Sequence, residues 1–314
     1  MSTSTQDRLL SHVTTPQSLE DNIAEIRQRI IAAGDRPYAS IEKQLALLAE
    51  LTTFELGRFL LQNRGLNGYW THYILTHPEQ GRKTGLNQNG KPLALLEKQI
   101  LDRCPVVLAT QERFKIFLRQ NQQRVRNNAR LACIPCGLMG ELLYLDLMGI
   151  DSIELIGIDY DANTLASAQA LAKRLEVPFA LTLEQQDAWQ LSVDHGFDLI
   201  SSNGLNIYEP DDAKVTALYQ RFYEALKPGG MLVTSFLTPL PNPDHREACE
   251  WDMRFINQED LILQRILFAD IIATKWQSYR STEQTRLQLQ QAGFAQIEFF
   301  PDQAHIFPTV VAIK

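Results

Sequence analysis

From Ala129 to Phe236 short apolar runs alternate with helix-length amphipathic segments, and this alternation constrains the fold more than any other feature of the chain. The apolar runs lie at 131–134, 153–158, 179–184, 197–202 and 231–236, with helices expected over 162–175 and 213–226. Strands separated by helical crossovers pair in parallel and are covered on both faces, so the pattern predicts a doubly wound, mostly parallel α/β sheet of the Rossmann-like kind. A helix over 282–292, ended by Gly293, then precedes two strand-like runs at 295–300 and 309–313, which predict a closing antiparallel hairpin.

Residues 1–127 read as an all-helical domain with the role of a lid. Leu19, Ile23, Ile26 and Ile30 recur at helical spacing, and one long helix is expected over 38–62. A short helix follows at 69–76, another runs from Pro92 to Leu101, and a long polar one spans 110–127. The second domain is 128–314. It carries a helical insertion at about 239–280, because Thr238-Pro239-Leu240-Pro241-Asn242-Pro243 can hold neither ladder nor helix. With 45 % apolar and 21 % charged residues the chain is globular. A net charge of −7 argues against a nucleic-acid partner, and no apolar run is long enough to span a membrane. The basic residues Arg113, Lys115, Arg119, Arg124, Arg126 and Arg130 are expected on a solvated helix face. Absence of a leader-like start and only four cysteines point to the cytoplasm. Cys133 and Cys136 are read as small buried hydrophobes, with no metal site expected.

The chemistry-bearing positions fall at successive strand ends. The loop Ile134-Pro135-Cys136-Gly137-Leu138-Met139-Gly140 links the first strand to a helix, where glycines let a ligand approach the backbone. Asp159 ends the second strand, where a carboxylate in such a fold bonds a ribose diol. Asp187 follows the third strand and Asn203-Gly204 the fourth. Each feature alone is a turn or a helix cap; together, in order, they mark the ligand edge of the sheet.

Residues 129–236 resemble a class I S-adenosylmethionine-dependent methyltransferase. The resemblance rests on the glycine loop, Gly157-Ile158-Asp159, Gln186-Asp187-Ala188, Phe197-Asp198-Leu199-Ile200 and Leu226-Lys227-Pro228-Gly229-Gly230-Met231-Leu232, and the closing hairpin extends it. It implies S-adenosylmethionine as cofactor, S-adenosylhomocysteine as product, and a cofactor set of Pro135, Gly137, Gly140, Asp159, Tyr160, Asp187, Ala188, Trp189 and Asn203. In that set Gly137 and Gly140 pass the methionine moiety, Asp159 holds the ribose, Asp187 and Ala188 meet the adenine, and Asn203 faces the reactive centre. The family loop has an acid just ahead of three alternating glycines. Here Ile134, Pro135 and Cys136 occupy that stretch, so the methionine amino group has no assigned partner.

The expected activity is methyl transfer to oxygen or nitrogen of a small molecule, with Asn203, Asn206, Tyr208 and His72 as catalytic candidates. Asn206 and Tyr208 are read as orienting or deprotonating the acceptor. Tyr69, Trp70, Tyr73 and Trp251 are candidates for the acceptor pocket, the first three in a glycine-bracketed lid and Trp251 in the insertion beside Glu247, Glu250 and Asp252. A homo-oligomer stays open. Two alternatives stand beside this reading: a nicotinamide oxidoreductase, and a degenerate methyltransferase fold kept as a binding module.

Overall fold

A computed structural model describes residues 18–191, 196–241, 249–275 and 277–314; Glu247 and Trp276, both within the expected insertion, lie outside them. Helices α1 (Leu19–Ala33), α2 (Ile41–Leu51), α3 (Glu55–Asn63), α4 (Gly68–Thr76), α5 (Gly81–Thr84), α6 (Leu95–Arg103) and α7 (Pro105–Gln122) precede strand β1 (Ala129–Cys133). There follow α8 (Gly140–Leu143), β2 (Ile153–Asp159), α9 (Ala162–Arg174), β3 (Leu181–Gln185), β4 (Phe197–Ser202), α10 (Asp212–Ala225) and β5 (Leu226–Ser235). Then come α11 (Gln258–Gln264), which runs into a π-helical turn at Arg265–Ile271, α12 (Thr282–Gln291), β6 (Gln296–Phe300) and β7 (Thr309–Ile313). No helix among the described residues is long and apolar enough to cross a membrane.

The chain divides into two compact units, one of described residues up to 111 with 252–277, the other of 112–251 with 278–314. The division falls inside α7 rather than at residue 127. The insertion joins the helical unit because its Ile266, Leu267, Ile271 and Ile272 enter that unit's core with Leu51, Leu56, Leu96 and Leu101. The helix expected over 38–62 is two helices. The Thr52 and Thr53 hydroxyls donate back to the Ala49 and Glu50 carbonyls at 2.7 Å, ending α2. At Gly57 the chain then crosses so close that a Cβ would stand 2.1 Å from the Leu51 carbonyl oxygen.

In the second unit seven strands form one sheet in the order β3-β2-β1-β4-β5-β7-β6. The first five are parallel, while β7 runs antiparallel to both β5 and β6, as the closing hairpin requires. Chain order turns outward in opposite directions from β1 and β4, so their carboxyl ends border the switch-point crevice where such sheets bind ligands. Leu131, Cys133, Leu155, Leu199, Met231 and Val233 pack on one face with Phe117 of α7 and Leu165, Ala168 and Leu171 of α9. Ala132, Ile156, Ile200 and Leu232 pack on the other with Val215, Leu218 and Phe222 of α10 and Leu289 of α12.

Candidate functional site

The loop after β1 is held to β2 by backbone. Cys136 N–H donates to the Ile158 carbonyl at 2.8 Å, and Gly137 N–H donates to Asp159 Oδ2 at 3.1 Å. Asp159 Oδ1 takes the Asp161 N–H at 3.0 Å, and the Cys136 thiol also bonds this carboxylate. Asp159 therefore fixes the loop. Gly137 has φ +49 and nothing within 4 Å of where a Cβ would stand, so its backbone is open to a ligand. Gly140 differs: the rings of Phe114 and Tyr144 lie at 3.5 and 3.7 Å from its Cβ position, so its open side faces protein. Pro135 is half-buried beside it, and Cys133 and Cys136 are free, buried thiols whose pKa values burial raises. Among the described residues no cluster of three metal-ligating side chains occurs.

At the third strand end, Asp187 caps a short 3-10 turn by accepting the Trp189 N–H at 3.0 Å, and Gln190 Nε2 donates to its other oxygen at 3.2 Å. Ala188 is buried, and the Trp189 ring N–H donates to the Lys214 carbonyl at 3.0 Å. Tyr160 is 40 % exposed beside Asp159.

The end of β4 carries the densest polar arrangement. Asn203 Nδ2 donates to Glu141 Oε1 at 2.7 Å, while the Asn203 Oδ1 is buried without a partner. Glu141, in the first turn of α8, is buried, and among the described residues its Oε2 receives only the Cys133 thiol at 3.8 Å. Asn121 on α7 donates to the Glu141 carbonyl at 3.1 Å and to Ser201 Oγ at 3.0 Å, fixing α8 against β4. Arg113, also on α7, is only 4 % exposed, and its Nη1 donates to Ser235 Oγ at the end of β5, 3.3 Å away. Burial pushes the Arg113 guanidinium down to about 10, against the fields of Glu141, Tyr208 and Asp302, so it remains charged at neutral pH. The solvated face expected for this basic stretch thus holds for exposed Lys115 and Arg119 but not for Arg113. Its spacing of four from Phe117 and eight from Asn121 puts it on the stripe that packs on the sheet, a signal present in the sequence.

The structure does not bring all the expected residues together. Asn206 is turned into the core: its Nδ2 donates to the Tyr219 hydroxyl at 2.9 Å and its carbonyl takes Arg280 Nη1 at 2.8 Å. Those bonds give it a packing role instead of the catalytic one expected. Burial raises the Tyr208 phenol above its usual pKa although Arg113 opposes this, so Tyr208 keeps its proton at neutral pH. Trp251 is buried with its ring N–H unpartnered. In the helical unit Trp70 and Tyr73 are core residues, 7 % and 8 % exposed. Trp70 stands against Phe59, Tyr69 and Tyr73 at ring centroid distances of 5.9, 5.1 and 5.5 Å. The Tyr73 hydroxyl donates to buried Glu97 at 3.0 Å. These contacts account for the aromatic cluster as packing; Tyr69 remains exposed, and the His72 carbonyl takes the Thr76 hydroxyl at 2.9 Å.

Residues 134–230 match the family model described as a methyltransferase domain. The chain is 45 % identical to a possible exported protein from Bordetella parapertussis of known structure, with a TM-score of 0.86 over 95 % of this chain and 97 % of that one. It is 24 % identical over 200 residues to the carboxy-S-adenosyl-L-methionine synthase of Hydrogenovibrio crunogenus, covering 60 % of this chain and 74 % of that protein. The apo S-adenosylmethionine-dependent methyltransferase SibL shares the fold at 13 % identity and a TM-score of 0.50, over 67 % of this chain and 56 % of that one. The matched segment starts at the glycine loop and ends at Gly230, spanning the strand ends just described, and no G-x-G-x-x-G is present to favour a nicotinamide enzyme. By this domain match and this sheet order, residues 134–230 form a methyltransferase domain on the class I S-adenosylmethionine-dependent fold.

Proposed function

We propose that this methyltransferase acts on an oxygen or nitrogen atom of a small molecule in the cytoplasm, with the cofactor laid across the ends of β1, β2 and β4. The observation that carries the site assignment is Asn203: a buried amide oxygen with no partner, clamped by Glu141 at the switch point. An orphaned acceptor of this kind is costly unless a ligand donates to it. The cofactor's ammonium and ribose hydroxyls are donors, and the open backbone at Gly137 and Gly204 leaves room that a Cβ would fill, so the residues present fit S-adenosylmethionine.

Bound there, S-adenosylmethionine would supply an electrophilic methyl group and leave as S-adenosylhomocysteine. The chain's own residues do the rest by placement. Asn203 Oδ1 and Glu141 would hold the methionine end, in place of the acid that the loop lacks at Ile134. Asp159 holds the loop in shape and turns its remaining acceptor capacity to the ribose. Tyr208 keeps its proton and donates to the acceptor molecule.

A small acceptor agrees with the surface: within the basic stretch Arg113 is buried, and Arg126 and Arg130 are paired with Asp198 and Glu154. Four unlinked cysteines agree with a reducing compartment. Calorimetry with S-adenosylhomocysteine, S-adenosylmethionine and NAD tests the cofactor assignment, which fails if only NAD binds. Methyl-labelled cofactor incubated with a cell extract tests the acceptor, since label in protein or nucleic acid instead of the small-molecule fraction refutes it.

A further inference from the structure

Two arginines are buried in the sheet unit, and they differ in what they are given. Arg280, 1 % exposed, is fully served: Nε donates to Asp212 at 2.8 Å, Nη1 to the Asn206 carbonyl at 2.8 Å and Nη2 to the Glu209 carbonyl at 2.7 Å. Arg113 has the single Ser235 hydroxyl at 3.3 Å and the Phe307 ring 4.3 Å below its guanidinium carbon. Its Nε is buried with no partner. Among the described residues no carboxylate pairs with it. Glu141 is engaged by Asn203, and the Asp302 oxygens are taken by the backbone N–H groups of Ala304, Ile306 and Phe307. A buried cation left without counter-charge is unfavourable for folding, so its retention requires something that pairs with it.

The sheet register says which side of the crevice it serves. Ser202 pairs with Thr234, which sets Ser235 beside Asn203, and Met231, Val233 and Ser235 alternate onto the face that α7 covers. Strand β4 separates β5 from β1, so Ser235 stands two strand spacings, about 10 Å, from the glycine-loop strand. The Nη1 end of Arg113, held by Ser235, therefore lies on the β5 side of Asn203.

We infer that the methyl acceptor is a carboxylate-bearing small molecule whose carboxylate seats on Arg113, an inference that rests on the small-molecule methyltransferase reading. The guanidinium fork with an unpartnered Nε suits two carboxylate oxygens, which a lysine in its place would not. The same chemistry could come from the methionyl carboxylate of the cofactor, and the experiment separates the two.

The full chain is first titrated with S-adenosylhomocysteine, which reports on the cofactor reading alone. The S-adenosylhomocysteine-saturated protein is then titrated with benzoate and octanoate, and with benzyl alcohol and 1-octanol as neutral controls, in wild type, Arg113→Met and Arg113→Lys. The expected result is that the carboxylates bind wild type and the alcohols do not. Both variants should lose carboxylate affinity at least about tenfold while holding S-adenosylhomocysteine within about twofold. Arg113→Met without ligand should melt no lower than wild type, since it removes an unpaired buried charge. Carboxylates that fail to bind wild type, or bind either variant as well, overturn the inference. So does a tenfold loss of S-adenosylhomocysteine with 5′-methylthioadenosine unaffected, which would give Arg113 to the cofactor. A fall in melting temperature for Arg113→Met, or failure of both variants to fold, would mark the residue as a strut and overturn it equally.

Discussion

Replacing Glu141 by glutamine tests how the chain manages without an acid ahead of its glycine loop. The carboxylate is 6 % exposed, takes the Asn203 amide through Oε1 at 2.7 Å, and has only the Cys133 thiol at 3.8 Å on Oε2. Glutamine keeps the volume and the Oε1 acceptor but loses the charge. A hydrogen bond to a charged group nets about 1.5–3 kcal/mol and a neutral one about 0.5–1.5, so the Asn203 contact weakens by about 1 kcal/mol. Relief from burying a charge offsets that loss, and the variant should fold with a stability within about 1 kcal/mol of wild type. If Glu141 meets the cofactor ammonium, one charge-assisted contact of about 1.5–3 kcal/mol disappears, weakening S-adenosylhomocysteine about 10- to 100-fold. The ligand 5′-methylthioadenosine has no methionine tail and should lose less than about twofold. Calorimetry of both ligands at one pH reads the difference directly. Equal losses for the two, or an unchanged S-adenosylhomocysteine affinity, would refute the assignment of Glu141 to the methionine end.

Asp159→Ala should lower the melting temperature as well as abolish cofactor binding, because it orphans the Gly137 and Asp161 N–H groups at about 1–3 kcal/mol each if they stay dry; faster hydrogen exchange at Gly137 is the direct check. Trp70→Ala should cost about 3–5 kcal/mol in denaturant melts, as a core ring lost from between Phe59 and Tyr73, and a loss under about 1 kcal/mol would return the lid reading to consideration. Gly57→Ala, which in an open helix would stabilise by about 1 kcal/mol, should instead destabilise by about 3 kcal/mol or more, since its Cβ meets the Leu51 carbonyl. Burial raises the Glu97 carboxyl above its usual 4.5 despite the Tyr73 hydrogen bond, so the folded chain holds a proton that the unfolded chain has released. That contribution to stability is present below pH 4.5 and lost as pH rises through the raised value. The melting advantage of Glu97→Gln over wild type should therefore grow from pH 4 to pH 8, and a constant difference would contradict it.

The sheet was legible because parallel strands covered on both faces read as mostly apolar runs at 153–158, 197–202 and 231–236, with helix-length crossovers along the chain. The helix break at Thr52 was not, since it depends on two hydroxyls bonding back to carbonyls and on a tertiary crossing at Gly57. Nor was the division inside α7, where no proline or glycine marks the point at which one helix passes from one core to another. In the site, strand-end positions could be read from order alone. What each side chain spends itself on could not: Asn206 faces Tyr219, and Asp159 binds its own loop. Arg113 stands among exposed basic residues, and only its place on the stripe of Phe117 and Asn121 separates it from them.

The carboxylates and cations around the crevice follow from one constraint, that every buried charge needs an opposite partner or a ligand. With Ile134, Pro135 and Cys136 in the loop, no acid is available from β1 itself. Asp159 cannot be moved to that duty, because its oxygens receive the Gly137 and Asp161 N–H groups that shape the loop. The remaining negative charge is Glu141, one residue past Gly140, steered by Asn203 and anchored through its carbonyl by Asn121. Its own field reaches Arg113 without an ion pair between them. A negative group on the loop side of Asn203 and a positive one on the β5 side thus stand apart, neither cancelling the other. Direct pairing of Glu141 and Arg113 would have been the more stable arrangement for an empty crevice; holding them separate leaves each able to meet a ligand group of opposite sign, an ammonium on one side and an oxyanion on the other.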